Sequence, residues 1–195
     1  MASGREQNRR RSIRLPGYDY AQAGAYFVTI GTYNRDCLLG EIPGSEMSLT
    51  RAGEVVLECW NDLPNHYPHV EIDEFVVMPN HVHGIIVLAD NQGKSSISES
   101  GEAGMKSPKG QSVGAGLKPA PTERHPLPEI VRAFKTFSSR RINQVRSTPG
   151  VPVWQRNYYE RVIRNERELD AIRQYIVDNP AKWAEDVENP RNLRQ

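Results

Sequence analysis

The sequence predicts an α+β domain of the split-βαβ, ferredoxin-like kind: an antiparallel sheet with helices mainly on one face. Three observations predict it. Apolar runs of strand length and runs of helical period follow one another in the order β-α-β-β-α-β-α. The second and third strand runs are joined only by the turn pair Pro79-Asn80, so they read as an antiparallel pair. The chain of 195 residues suits one ordinary domain, and neither half holds enough elements for its own core.

Taken in order, residues 1–14 carry Arg5, Arg9, Arg10, Arg11 and Arg14 against the single acid Glu6, which reads as a mobile basic arm. The β-branched and aromatic run from Tyr26 to Tyr33 is the first strand. In "SEMSLTRAGEVVLECWNDLP", Ser48 or Thr50 can cap a helix whose stripe is Val56, Trp60 and Leu63, with Pro64 as its stop. "HVEIDEFVVMP" and "HVHGIIVL" are the next two strands. The stretch at about 91–126 has no aromatic residue and is dense in Gly, Ser, Pro and Lys, so it cannot offset its ordering entropy by burial. It reads as a disordered insert in one domain spanning 15–185, with 186–195 as a C-terminal tail.

After the insert, "EIVRAFKTFSSRRINQVR" is a helix with Ile130, Phe134 and Phe137 on one face. "VPVWQRNYYERVI" is a further strand or pair of short strands. "NERELDAIRQYIVDNP" is the last helix, capped by Asn165 with Glu168 in the capping-box position. Its apolar stripe is Leu169, Ile172 and Ile176, and Pro180 ends it.

Bulk properties narrow the function classes. A formal net charge of +1 means that any nucleic-acid affinity must come from local patches. The apolar share of 37% and mean hydropathy of −0.64 fit a chain partly outside its core. Cys37 and Cys59 allow at most one bridge and read as reduced small hydrophobes of a cytosolic protein. No apolar run approaches the roughly 18 residues of a membrane span, so a soluble intracellular protein is expected.

Within "VVMPNHVHGIIVL", His81 and His83 are two apart on a strand and project to the same side. A structural zinc site wants closed N/S coordination, but Cys37 and Cys59 stand alone and far off in sequence; a histidine-triad hydrolase would place a third histidine where Ile85 stands. A two-histidine phosphoesterase would show separated His-x-Thr or His-x-Ser motifs, which are absent. An open metal site with a ligand from elsewhere remains. Tyr175 and Asn179 lie four apart on one face of the last helix, where an amide oxygen and a phenol can serve one site.

The motifs "YFVTIGTYNR", "FVVMPNHVHGIIV", "VWQRNYYERVIRNEREL" and "YIVDNP", in this order through roughly 17–185, resemble the single-tyrosine HUH transposases. The REP-associated tyrosine transposases are the most similar subgroup. The resemblance implies metal ligation by His81, His83 and Asn179, with Mg2+ or Mn2+ as cofactor, and Tyr175 as nucleophile. It implies cleavage and rejoining of single-stranded, hairpin-containing DNA through a 5′-phosphotyrosine, by a cytoplasmic, nucleoid-associated monomer or homodimer with no membrane partner. A non-cleaving binder of palindromic DNA and a phosphodiesterase without a covalent step are the competing readings. For phosphate contacts the candidates are Arg132, Lys135, Arg140 and Arg141; Arg156 and Arg161 flank Tyr158 and Tyr159, which can stack on unpaired bases.

Overall fold

The protein is described here by a computed structural model covering residues 15–90 and 124–192. The basic arm lies outside the described residues, as does the insert apart from 124–126. Four strands build the main sheet: β1 (Gly24–Gly31), β4 (Val70–Val77), β5 (His81–Leu88) and β6 (Tyr159–Ile163). Their spatial order is β4-β5-β1-β6 and every pairing is antiparallel. A two-stranded ribbon, β2 (Gly40–Glu41) with β3 (Ser48–Leu49), leads into α1 (Arg51–Asn61) and the short α2 (Leu63–His66). The helices α3 (Leu127–Val145) and α4 (Glu166–Asp178) complete the fold. This is the split-βαβ arrangement that the pattern of elements predicts.

Strand β5 is buried on both faces, as befits a strand covered from both sides. On one side, Val82 and Ile86 join Tyr26, Val28 and Ile30 of β1 in the main core, under Val56 and Trp60 of α1 and Ile130 and Phe134 of α3. The Trp60 ring stacks on Phe75 with centroids 4.3 Å apart. It lies so close to β5 that a Cβ on Gly84 would sit 2.4 Å from its Cζ2. On the other side, Ile85 joins Phe27 and Ile163 in a smaller cluster with Ile176, Leu169 and Ile172 of α4. Two long helices thus share one face while α4 alone covers the opposite one, because its own apolar stripe needs a partner surface. Burying Ile176 there contributes about 1.5–3 kcal/mol.

Local signals resolve as follows. Thr50, not Ser48, caps α1, accepting from the Gly53 amide at 3.2 Å. Pro64 does not stop a helix; it sits in the first turn of α2, where its missing N–H is not needed. On α3, Phe137 points outward, half-exposed against the His66 ring. Its expected place in the buried face goes to Ser138, whose hydroxyl donates to the Phe134 carbonyl and accepts from Trp154 Nε1 at 2.9 Å. In "VPVWQRNYYERVI" only 159–163 forms a strand, and Trp154 makes a single bridge to Thr32. Asn165 caps α4 by accepting from the Glu168 amide at 2.9 Å. The Glu168 carboxylate reaches one residue further back than a capping box requires, to the Arg164 amide at 3.0 Å. Of the cysteines, which are both free, Cys59 is buried and Cys37 is exposed, so only Cys59 packs as a small hydrophobe. No helix among the described residues is long and apolar enough to cross a membrane.

Candidate metal and nucleophile site

Strand register decides which side chains share the α4 face. His83 pairs with Thr29 of β1, and Thr29 pairs with Tyr159 of β6, so these three stand in a row across the sheet. His81 lies one step along, opposite Gly31. Both histidines are buried, with their Nε2 atoms 3.0 Å apart. Phe27 stacks on the His83 ring at 5.5 Å and fixes its plane.

The tautomer of His81 follows from its neighbour. Asn80 Nδ2 donates to the Glu188 carbonyl at 2.7 Å and the Arg35 carbonyl at 3.1 Å. Its Oδ1 is therefore the atom facing His81 Nδ1 at 2.8 Å, and Nδ1 is the donor. The His81 proton is spoken for at Nδ1, and the Nε2 lone pair points into the site. Burial pushes both imidazoles below their ordinary range, His81 to about 4 and His83 to about 3, so both are neutral near pH 7.

Helix α4 brings the other two predicted residues to the same place. The Tyr175 hydroxyl is 3.4 Å from His83 Nε2, and its ring meets that of His83 edge-on at 5.2 Å. Burial raises the phenol's pKa, while a side-chain hydrogen bond from Asn179 pulls it back. Asn179 is buried at 4% exposure, and its Oδ1 has no hydrogen-bond partner among the described residues. Beyond α4, a 3₁₀ turn (Pro180–Glu185) delivers Asp186, whose Oδ2 lies 3.8 Å from His81 Nε2. A lone-pair nitrogen and two oxygen donors around a second neutral imidazole make a donor set that suits a divalent cation.

The residues expected to touch DNA divide between the two faces of the sheet. Tyr159 and Arg161 are exposed on the histidine side; Tyr159 packs edge-on to Phe27 at 6.3 Å, and Arg161 pairs with Glu168 at 2.6 Å. Tyr158 turns the other way, onto the main core. With Arg132, Lys135, Arg140, Trp154 and Arg156 it lines a groove of about 850 Å³ between α3 and the segment before β6. Lys135 and Arg141 are also engaged within the fold. Lys135 Nζ donates to the Gln155 and Arg156 carbonyls at 2.7 and 2.9 Å, and Arg141 clasps Glu58 and Cys59 of α1.

Sequence reasoning did not find Thr29, Phe27, Asn80 or Asp186. Asn80 stands beside the histidines in the quoted motif and signalled only a turn. Asp186 lies in "WAEDVENP", which has no period to place it.

The α+β fold, a four-stranded antiparallel sheet with helices packed on it, is shared with a solved transposase. The structure of a REP-associated tyrosine transposase bound to a REP hairpin aligns with 87% of this chain and 73% of its own, at TM-score 0.50 and 18% identity. No family model matches the sequence. An uncharacterized protein of Haemophilus influenzae is 40% identical over 181 residues, 91% of this chain and 91% of that protein, and this chain belongs to its family.

Proposed function

We propose that this protein cuts and rejoins single-stranded DNA as a transposase, with Tyr175 as nucleophile and His81, His83 and Asn179 as ligands of Mg2+ or Mn2+. The observation that carries the reading is convergence within one chain: the Tyr175 hydroxyl at 3.4 Å from His83 Nε2, itself 3.0 Å from His81 Nε2. No second subunit is needed to complete the set. The transposase fold and the hairpin DNA bound to its solved relative support a DNA substrate of the same kind.

When bound, the cation supplies positive charge that positions a non-bridging phosphate oxygen and eases the approach of a nucleophile. The chain does the rest. The Tyr175 oxygen attacks phosphorus, forming the Tyr–O–P bond as the P–O3′ bond breaks. The half-exposed phenol gives its proton to solvent, and the departing 3′-oxygen takes one up. Asn179 steadies the phenol and lowers its pKa against the effect of burial. Phe27 and Thr29 hold His83 in place from the sheet. Phenoxide leaves readily, so a 3′-hydroxyl from a second DNA end can attack the phosphotyrosine and restore the diester without ATP.

Tyr159, at the edge of this face, is placed to stack on an unpaired base near the scissile phosphate. The basic groove behind the sheet is placed to hold the DNA backbone leading to the cut.

The test is a denaturation-resistant protein–DNA adduct on labelled hairpin DNA with a single-stranded flank, in the presence of Mn2+. The wild type and Tyr159→Phe should form it, and Tyr175→Phe should not. Tight hairpin binding with no adduct would favour a non-cleaving binder. Cleavage that persists in Tyr175→Phe would favour a phosphodiesterase that has no covalent step.

A further inference from the structure

Two imidazoles and a carboxamide bring no negative charge to a hard divalent cation, which prefers anionic oxygen. Asp186 stands where that charge is missing. Its side chain is only 9% exposed, and Oδ2 faces His81 Nε2 at 3.8 Å. The other carboxylate oxygen, Oδ1, accepts from the Glu188 amide at 2.7 Å, which fixes the rotation of the group. Its one ion-pair contact among the described residues is His81, and no lysine or arginine there pairs with it. Asn80 holds the His81 proton on the far nitrogen, so the 3.8 Å approach brings two lone pairs together with no hydrogen between them. A buried carboxylate facing a lone pair is costly to maintain until a cation comes between them. The donor atoms of His81, His83 and Asp186 lie within 4.8 Å of one another, a span that one ion bridges with bonds of about 2.0–2.6 Å.

We propose that Asp186 is the anionic ligand of this site, joining His81, His83 and Asn179 around a hard divalent cation. The inference rests on the metal reading of the histidine pair and adds a residue outside the strand and helix motifs. It also couples binding to the nucleophile's position. Tyr175, Asn179 and Asp186 lie on one continuous segment, so an ion held by Asn179 and Asp186 ties both ends of the turn after α4 to β5.

The test is calorimetric titration of the full-length, chelator-treated chain with MnCl2. The wild type should bind Mn2+, and Asp186→Asn should bind it at least about tenfold more weakly. The melting temperature of metal-free Asp186→Asn should match or exceed that of the wild type, because the asparagine oxygen still accepts from the Glu188 amide while the charge facing the His81 lone pair is gone. If this variant melts early, the ratio of its Mn2+ to Zn2+ affinities decides. Losing an anionic oxygen weakens Mn2+ binding more than Zn2+ binding, which the imidazoles dominate; general loosening weakens both alike and overturns the proposal. Equal Mn2+ affinity in Asp186→Asn and wild type removes Asp186 from the ligand set while leaving the histidine site standing. No Mn2+ uptake by the wild type overturns both.

Discussion

Thr29 Oγ1 lies 2.8 Å from His83 Nδ1, and its hydroxyl can serve either as donor or as acceptor. Without a cation, the 3.0 Å approach of the two Nε2 atoms needs a proton on His83 Nε2, since His81 Nε2 carries a lone pair. Thr29 then donates to His83 Nδ1. With a cation bound, His83 must present a lone pair at Nε2, its proton moves to Nδ1, and Thr29 becomes the acceptor. A residue that can only do one of these would penalise one state.

Thr29→Val removes the hydroxyl at nearly constant volume and leaves His83 Nδ1 without its partner. Mn2+ affinity should fall by about 10–100-fold. Thr29→Ser should restore it to within a few-fold of wild type. Calorimetric titration of the three proteins checks both statements, and unchanged affinity in Thr29→Val would remove the hydroxyl from any role in setting the tautomer.

The two imidazoles also predict how the metal-free protein responds to acid. Burial holds His81 at about 4 and His83 at about 3, against an ordinary value of about 6.5 in the unfolded chain. Between about pH 6.5 and about pH 4 the unfolded chain therefore binds protons that the folded one refuses. Stability is full above that window and declines as the pH falls through it. Urea unfolding of chelated protein at pH 7 and pH 5 should show the loss, and a His81→Gln, His83→Gln double variant should flatten the difference.

The fold can be read in the sequence to the extent that each element carries its own period. The β5 run reads as a buried strand, but its pattern does not say which element covers the histidine side; α4 does so, through Leu169, Ile172 and Ile176. The paired histidines and the Tyr175–Asn179 spacing fix which side chains share a face, and packing has only to bring the two faces together. Where period gives no guidance, the sequence was mute or misleading. Asp186 follows a 3₁₀ turn with no repeating pattern. Tyr158 and Tyr159 are adjacent, and only the start of β6 decides which one faces the histidines. Lys135 and Arg141 read as free cations because their partners, two loop carbonyls and Glu58, lie far away in sequence.

Gly84 connects the core to the site. A methyl group there would meet Trp60 Cζ2 at 2.4 Å and Phe75 Cδ2 at 2.8 Å, both in the stacked pair behind β5. Trp60, fully buried, has little room to withdraw, since it also packs edge-on against Phe134 at 5.4 Å. Gly84→Ala should cost about 1–3 kcal/mol by overpacking. Because Gly84 follows His83 directly, the strain should move the imidazole and weaken Mn2+ binding as well. Thermal unfolding and titration of the one variant read both effects; a variant as stable as wild type would mean that the rings yield freely.

The separation of basic and aromatic residues between the two faces predicts separable contributions to DNA binding. Arg132, Arg140 and Arg156 line the groove behind the sheet, away from the histidines, and their guanidinium groups can neutralise phosphates without touching the chemistry. Replacing all three by alanine should weaken binding to every DNA sequence alike and reduce the slope of log affinity against log salt by about 2–3. Adduct formation at saturating DNA should keep its wild-type rate, since no group at Tyr175 changes. Tyr159→Ala acts on the other face and through stacking, so it should cost about 1–3 kcal/mol of affinity while leaving the salt slope unchanged. Affinity measured across a salt series distinguishes the two. If the triple variant loses adduct rate at saturation but keeps its salt slope, the groove is not where the backbone lies, and the phosphates must run along the Tyr159–Arg161 edge instead.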